Sequence, residues 1–246
     1  MRLAVGLVAV CALAAPAVPA AAAPAVTATA APAVPATAAP GVPVTAGPPG
    51  MAGLLLTTAD LPAGYRAVPA DENPYRTDLF EVIGKGAPCR LPAELSYSSF
   101  TWERSVSATF LREGDGSEDD ETMAEVVADR GAGVAGALVD AAAAMPRQCP
   151  EIDTPRSRIS MSPITVPTIG DRSAAFRVDV GTKSNSASEG VSEYYFDSWS
   201  YLSIAVAAVG TRSVVVVLMG TSEQPGIDLA EITGEAVARV RSGQAP

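Results

Sequence analysis

Residues Leu202 to Met219 leave this chain little freedom in how it folds. Leu202, Ile204, Val206 and Ala208 alternate with Ser203, Ala205, Ala207 and Val209, the period-two pattern of a strand. Gly210-Thr211 follows, and glycine at the first central position suits a type II′ hairpin turn. Val214 to Met219 then run without a polar residue, as a strand buried on both faces does. A two-residue turn would pair Val209 with Arg212 and set Leu202, Ile204 and Val206 opposite Met219, Val217 and Val215. After Pro225-Gly226, Asp228 with Glu231 three residues on marks a helix start. Leu229, Ile232, Ala236 and Val240 recur at helical spacing behind it. A hairpin with a helix folded back on it needs a larger sheet to join.

The N-terminal fifty residues belong to a different kind of sequence. Arg2 followed by the apolar stretch Leu3 to Ala15, with Ala-x-Ala-like sites near Pro19 to Ala23, reads as a secretory signal peptide over residues 1–23. Cleavage is expected between Pro19 and Ala25. The apolar run is too short to span a bilayer. Cys11 raises lipid anchoring as the alternative. However, Val10 is bulkier than a lipobox residue, and only eight residues lie between Arg2 and the cysteine, so secretion without a lipid is the expectation. Ala14 to Gly50 uses only Ala, Pro, Val, Thr and Gly, and no charge occurs between Arg2 and Asp60. Such a tract cannot bury enough apolar surface to offset its entropy, so residues 24–53 are expected to be a disordered linker. Extended at about 3.1 Å per residue, it would reach on the order of 100 Å. It is either a spacer in a cell envelope or low-complexity sequence with no selected role.

About 190 residues remain, a common size for one domain, here 54–246. Leu54-Leu55-Leu56 before the Pro62-Ala63-Gly64 turn suggests a short helix or edge segment docked on the core. Phe100, Trp102, Val106, Ala108 and Phe110 lie on the apolar side of an alternating strand. In the acidic run that follows, Ser117 and Asp120 are expected to cap a helix from about Glu118 to Met145. Asp115, Ser117, Asp119 and Glu121 lack the spacing of an EF-hand calcium loop. Met123, Val127, Val134, Leu138, Ala141 and Met145 would share one face of the helix, with Gly131, Gly133 and Gly136 weakening its middle and Pro146 ending it. Arg158 to Val166, with Pro163, reads as an edge strand. Ser173 to Val180 reads as a second strand, and Lys183 to Ser192 as a mobile connection. The expected fold is therefore α+β: a twisted, mainly antiparallel sheet of about five strands with two main helices packed on one face.

Composition removes several functions. Histidine is absent, which excludes Ser-His-Asp and Cys-His catalysis and imidazole-based zinc sites. The formal charge is −10, and −11 once Arg2 leaves with a leader, which argues against nucleic acid and anionic lipid surfaces as partners. No cofactor or metal site is recognisable. With Cys11 removed, Cys89 and Cys149 are the two remaining cysteines, and an oxidising compartment favours a disulfide between them.

Three short motifs carry a resemblance. Leu54 to Tyr65, with its Asp60-Leu61-Pro62-Ala63-Gly64-Tyr65 ending, is similar to the opening of the extracellular sensor domains of PknH-type mycobacterial Ser/Thr kinases. Ile169-Gly170-Asp171-Arg172-Ser173 resembles a Gly-Asp-x-Ser strand entry of that family, and Gly210 to Val215 its following hairpin. The resemblance implies a twisted sheet beside a ligand cleft. Two departures limit it: no kinase domain occurs in these 246 residues, and there are two cysteines past the leader where such domains tend to have four.

The functional expectation is a secreted, non-catalytic, sensor-like module that binds a ligand at the bacterial cell envelope. A glycan hydrolase working with carboxylates such as Glu103 and Asp179, or a structural envelope protein, is the alternative. Strand parity nominates the site. Tyr195, Trp199, Tyr201 and Ser203 would point away from the Leu202 face if the strand runs back without a bulge, with Arg177 joining them from the neighbouring strand. Aromatic rings beside a positive charge would suit a small anionic or sugar-like ligand. The competing reading buries these rings under the Leu54 to Tyr65 segment.

Overall fold

The computed structural model describes residues 50–69, 104–114, 120–154, 157–188 and 191–243, and gives the backbone alone for 184–188 and 191–197. The expected hairpin is present in the expected register. β7 (Val191–Val209) and β8 (Arg212–Gly220) pair Val209 with Arg212, Val206 with Val215, Ile204 with Val217 and Leu202 with Met219. Gly210 takes the positive φ of 59° that its place in the turn requires.

Among the described residues, the sheet around this hairpin has eight strands, not five. Its order is β1 (Tyr65–Val68), β2 (Ser105–Arg112), β3 (Glu121–Asp129), β8, β7, β6 (Arg172–Ser188), β5 (Ser157–Ile164) and β4 (Glu151–Asp153). Every neighbouring pair is antiparallel. Three strands go beyond the expectation: β1, β4 and β3. The last replaces the first part of the expected long helix. Glu121 to Asp129 lies between β2 and β8 with apolar residues buried on both sides, so its sequence shows no alternation that would identify a strand. The Ser117 cap lies outside the described residues. The expected mobile connection from Lys183 is strand as well, because β6 and β7 stay paired as far as Ser188 and Val191.

Helix α1 (Ala132–Gln148) starts after Gly131, whose φ is 91°, and passes through Pro146 to Gln148. A proline this close to the end removes one intrahelical bond, and the Cys149 N–H still closes on the Met145 carbonyl at 2.8 Å. Ala135, Leu138, Val139, Ala142 and Met145 form its buried stripe, whereas Val134 faces solvent. Helix α2 (Leu229–Ser242) is capped as expected, with Asp228 Oδ1 accepting the Glu231 N–H at 2.9 Å.

The two helices do not share a face. α1 packs on the side carrying Phe176, Val178, Leu202, Ile204, Val206, Val215 and Val217. α2 packs on the other side, over Ala205, Ala207, Val209, Val214, Val216 and Leu218. The polar-free run of β8 required this arrangement: a strand apolar on both faces needs cover on both.

The Met51–Leu61 segment forms a strap beside α2, built on the short 3-10 turns Ala52–Leu54 and Thr58–Asp60. Leu54, Leu55, Leu56 and Leu61 are buried, each contributing about 2 kcal/mol of apolar burial. Asp60 Oδ2 accepts the Thr57 N–H at 2.7 Å, and Arg239 of α2 donates to Asp60 Oδ1 at 2.7 Å and to the Leu55 carbonyl at 3.2 Å. The Gly170-Asp171 entry to β6 is equally specific. Gly170 has φ 74°, and a Cβ there would lie 2.5 Å from the Ala208 carbonyl oxygen. Asp171 Oδ2 accepts the Gly210 N–H of the β7–β8 turn at 2.7 Å.

Candidate functional site

α2 and the strap leave part of their own face of the sheet open. The opening follows from one transverse row of paired residues: Tyr65, Arg112, Glu121, Gly220, Tyr201 and Asp179, one each from β1, β2, β3, β8, β7 and β6. Cross-strand partners point to the same face, so Gly220 puts a missing side chain between Glu121 and Tyr201. The neighbouring row on that face supplies Leu218, Ser203 and Arg177. Over the gap runs the connection from β8 to α2, whose residues Ser222 to Gly226 form the outer wall. The result is a cleft of about 190 Å³ lined by Arg112, Asp120, Glu121, Tyr201, Ser203, Gly220 and that connection.

The connection is tied down at both ends. At one end Glu121, 4 % exposed, accepts Arg112 Nη2 at 2.8 Å and the Gly226 N–H at 2.9 Å, both on Oε2. The glycine lets the Arg112 guanidinium lie close, since a Cβ at 226 would stand 2.4 Å from it and push it aside. The Arg112 guanidinium in turn lies 5.5 Å from the Tyr65 ring centroid. Burial, and after it the charge of Glu121, hold the Tyr65 hydroxyl well above its usual pKa, so it stays protonated. At the other end Arg177 donates to the Glu223 carbonyl at 3.1 Å and lies 3.4 Å from its carboxylate. The same guanidinium pairs with Asp179 and sits over the Tyr201 ring, 4.7 Å from its centroid.

The nominated residues separate into groups. Tyr201 and Ser203 are half-buried in the cleft wall, and Arg177 lies over the Tyr201 ring without lining the cleft itself. Tyr201 is outside the apolar cluster under the strap, so the strap does not bury it. Trp199 is half-buried opposite Gly181 and does not line the cleft. The β6–β7 register shifts by one residue between Thr182 and Lys183, skipping Asp197, so the unbroken alternation that grouped Tyr195 with Tyr201 does not hold. The Tyr195 side chain, Cys89 and Glu103 lie outside the described residues. Cys149 is buried at the end of α1. Asp179, one carboxylate of the hydrolase alternative, is engaged by Arg177.

Sequence reasoning missed Arg112, Glu121, Gly220, Glu223 and Gly226. Only Pro225-Gly226 carries a local signal, that of a turn. Arg112, Glu121 and Gly220 come together through register across strands, one of which reads as helix in the sequence, and Glu223 joins them only through the path of the connection.

No family model matches the chain, and no curated protein matches it. Among solved structures, a putative uncharacterized protein from Mycobacterium smegmatis is 17% identical over 74% of this chain and 78% of its own, with a TM-score of 0.36. The extracellular domain of PknH from Mycobacterium tuberculosis is 14% identical over 63% and 69%, with a TM-score of 0.34. A STAR-related lipid transfer protein from Xanthomonas axonopodis is 13% identical over 56% and 88%, with a TM-score of 0.21. Values this low assign the chain to no family, and the functional reading rests on its own cleft.

Proposed function

We propose that this chain is an exported, non-catalytic, sensor-like domain that binds a small sugar-like ligand in the cleft above Gly220. The observation that carries the reading is the gap between Tyr201 and Glu121, with a ring, the Ser203 hydroxyl and a charged network around it. Pockets that take polar ligands combine an apolar surface with a few fixed polar groups, and rings stack on sugar faces. The anionic arm of the expectation loses its support, since Arg177 is taken up by Asp179 and Glu223. Export rests on the charged and apolar leader of residues 1–23, and the pairing of Cys149 with Cys89 on the compartment this leader implies.

Native mass spectrometry of the exported protein, purified without denaturation, tests the reading. A small-molecule adduct should be present on the wild type and absent from Tyr201→Ala, with melting temperatures that agree. Equal retention by both proteins, or a Tyr201→Ala variant that no longer folds, would return Tyr201 to the role of a packing residue.

A further inference from the structure

We propose that the cleft selects a ligand bearing a protonated amine, an amino sugar rather than a neutral or acidic one. This rests on the cleft being a binding site and adds the charge of what enters it. Arg112 is the one cation among the lining residues, and Glu121 already pairs with it at 2.8 Å. Arg177, adjoining Tyr201, is bracketed by Asp179 and Glu223. With Asp120 also in the wall, the cleft and its immediate supports hold, among the described residues, four carboxylates against two guanidiniums.

A second observation comes from Glu121 itself. The residue is 4 % exposed, its Oε2 accepts from Arg112 and the Gly226 N–H, and the protonated Tyr65 hydroxyl interacts with the same carboxylate. A carboxylate shielded from water raises the negative potential of the space it lines, because low-dielectric walls focus the field. The ring of Tyr201 adds to this, since the face of an aromatic ring attracts cations, as the stacked Arg177 shows. An anion would meet Arg112 and Arg177 only in competition with Glu121, Asp179 and Glu223, the carboxylates that already pair with them.

Three disaccharide probes of one size decide the matter by calorimetry: glucosamine dimer, its fully N-acetylated counterpart, and a uronic acid dimer. They are titrated into the exported wild type, Glu223→Gln and Gly220→Val, at a pH where the amine is protonated, with and without added salt. The inference expects the amine to bind at least tenfold tighter than the acetylated dimer and the uronic acid to bind weakest. The preference should shrink in salt and in Glu223→Gln. Tighter binding of the neutral or acidic probe, with binding still lost in Gly220→Val, overturns the charge selection and leaves the cleft as a site. Binding of no probe, or binding indifferent to Gly220→Val, overturns both.

Discussion

Leu56 of the strap donates its backbone N–H to Glu125 Oε2 at 2.7 Å, in the interior between the strap and β3. Glu125 is fully buried, and burial pushes its carboxyl up to about 8. The Leu56 N–H and the charge of Arg239 on α2 oppose the shift, and Asp60 of the strap adds to it. Its cross-strand neighbours, Ala108 and Val216, carry no charge.

A carboxyl whose pKa is raised on folding binds more protons in the folded than in the unfolded chain. Its contribution is therefore complete below the ordinary glutamate range and is lost as pH rises towards about 8. Asp60 acts in the opposite sense. Burial would raise its pKa, but hydrogen bonds from Arg239 and Thr57 prevail and lower it, so its contribution is lost only in acid. Denaturant unfolding should show wild-type stability falling between about pH 5 and pH 9, with Glu125→Gln much flatter over that window. Parallel slopes for the two proteins would contradict this account.

Gly170 should tolerate no side chain. Its φ of 74° and the Ala208 carbonyl oxygen, 2.5 Å from where a Cβ would stand, make Gly170→Ala both strained and crowded. The expected loss is about 3 kcal/mol or more, read as a lowered midpoint in denaturant with an unchanged slope. A loss within experimental error would mean that the β6 entry repacks freely.

Cys149 is buried where α1 ends, and its pairing with Cys89 is testable without a structure. The exported protein, unfolded without reductant, should take up no thiol reagent, and after reduction two labels per chain. A bridge closing a loop of this length would contribute roughly 4 kcal/mol through the unfolded state. Two labels before reduction would exclude it.

How much of this was legible in the sequence depends on how many faces of each element are covered. The β7–β8 hairpin, its register and the cap of α2 were readable, because alternation, a glycine turn and Asp228 are local signals. The docking of Leu54 to Leu61 was readable too, from three adjacent leucines before a turn. β3 was not: with α1's side and the strap's side both buried, and Glu125 among its fully buried residues, its pattern imitates a helix of period near 3.6. That single misreading hid Glu121, which opens β3 and lines the cleft. That Tyr201, Ser203 and Arg177 share a face was readable, because strand parity is a local property of β6 and β7. Gly220 and Glu223 acquire meaning only from what stands beside and over them.

The claim on which the rest depends is that the space above Gly220 holds a ligand. A valine at position 220 meets no positive-φ restriction, but its Cβ would lie 3.3 Å from the Asp120 carbonyl oxygen, so that backbone must give by a few tenths of an ångström as the side chain fills the cleft. Native mass spectrometry of wild type and Gly220→Val, exported and purified side by side with matching melting temperatures, is the direct test. The predicted result is a small-molecule adduct on the wild type alone. The same adduct on both proteins, or on neither, would contradict it.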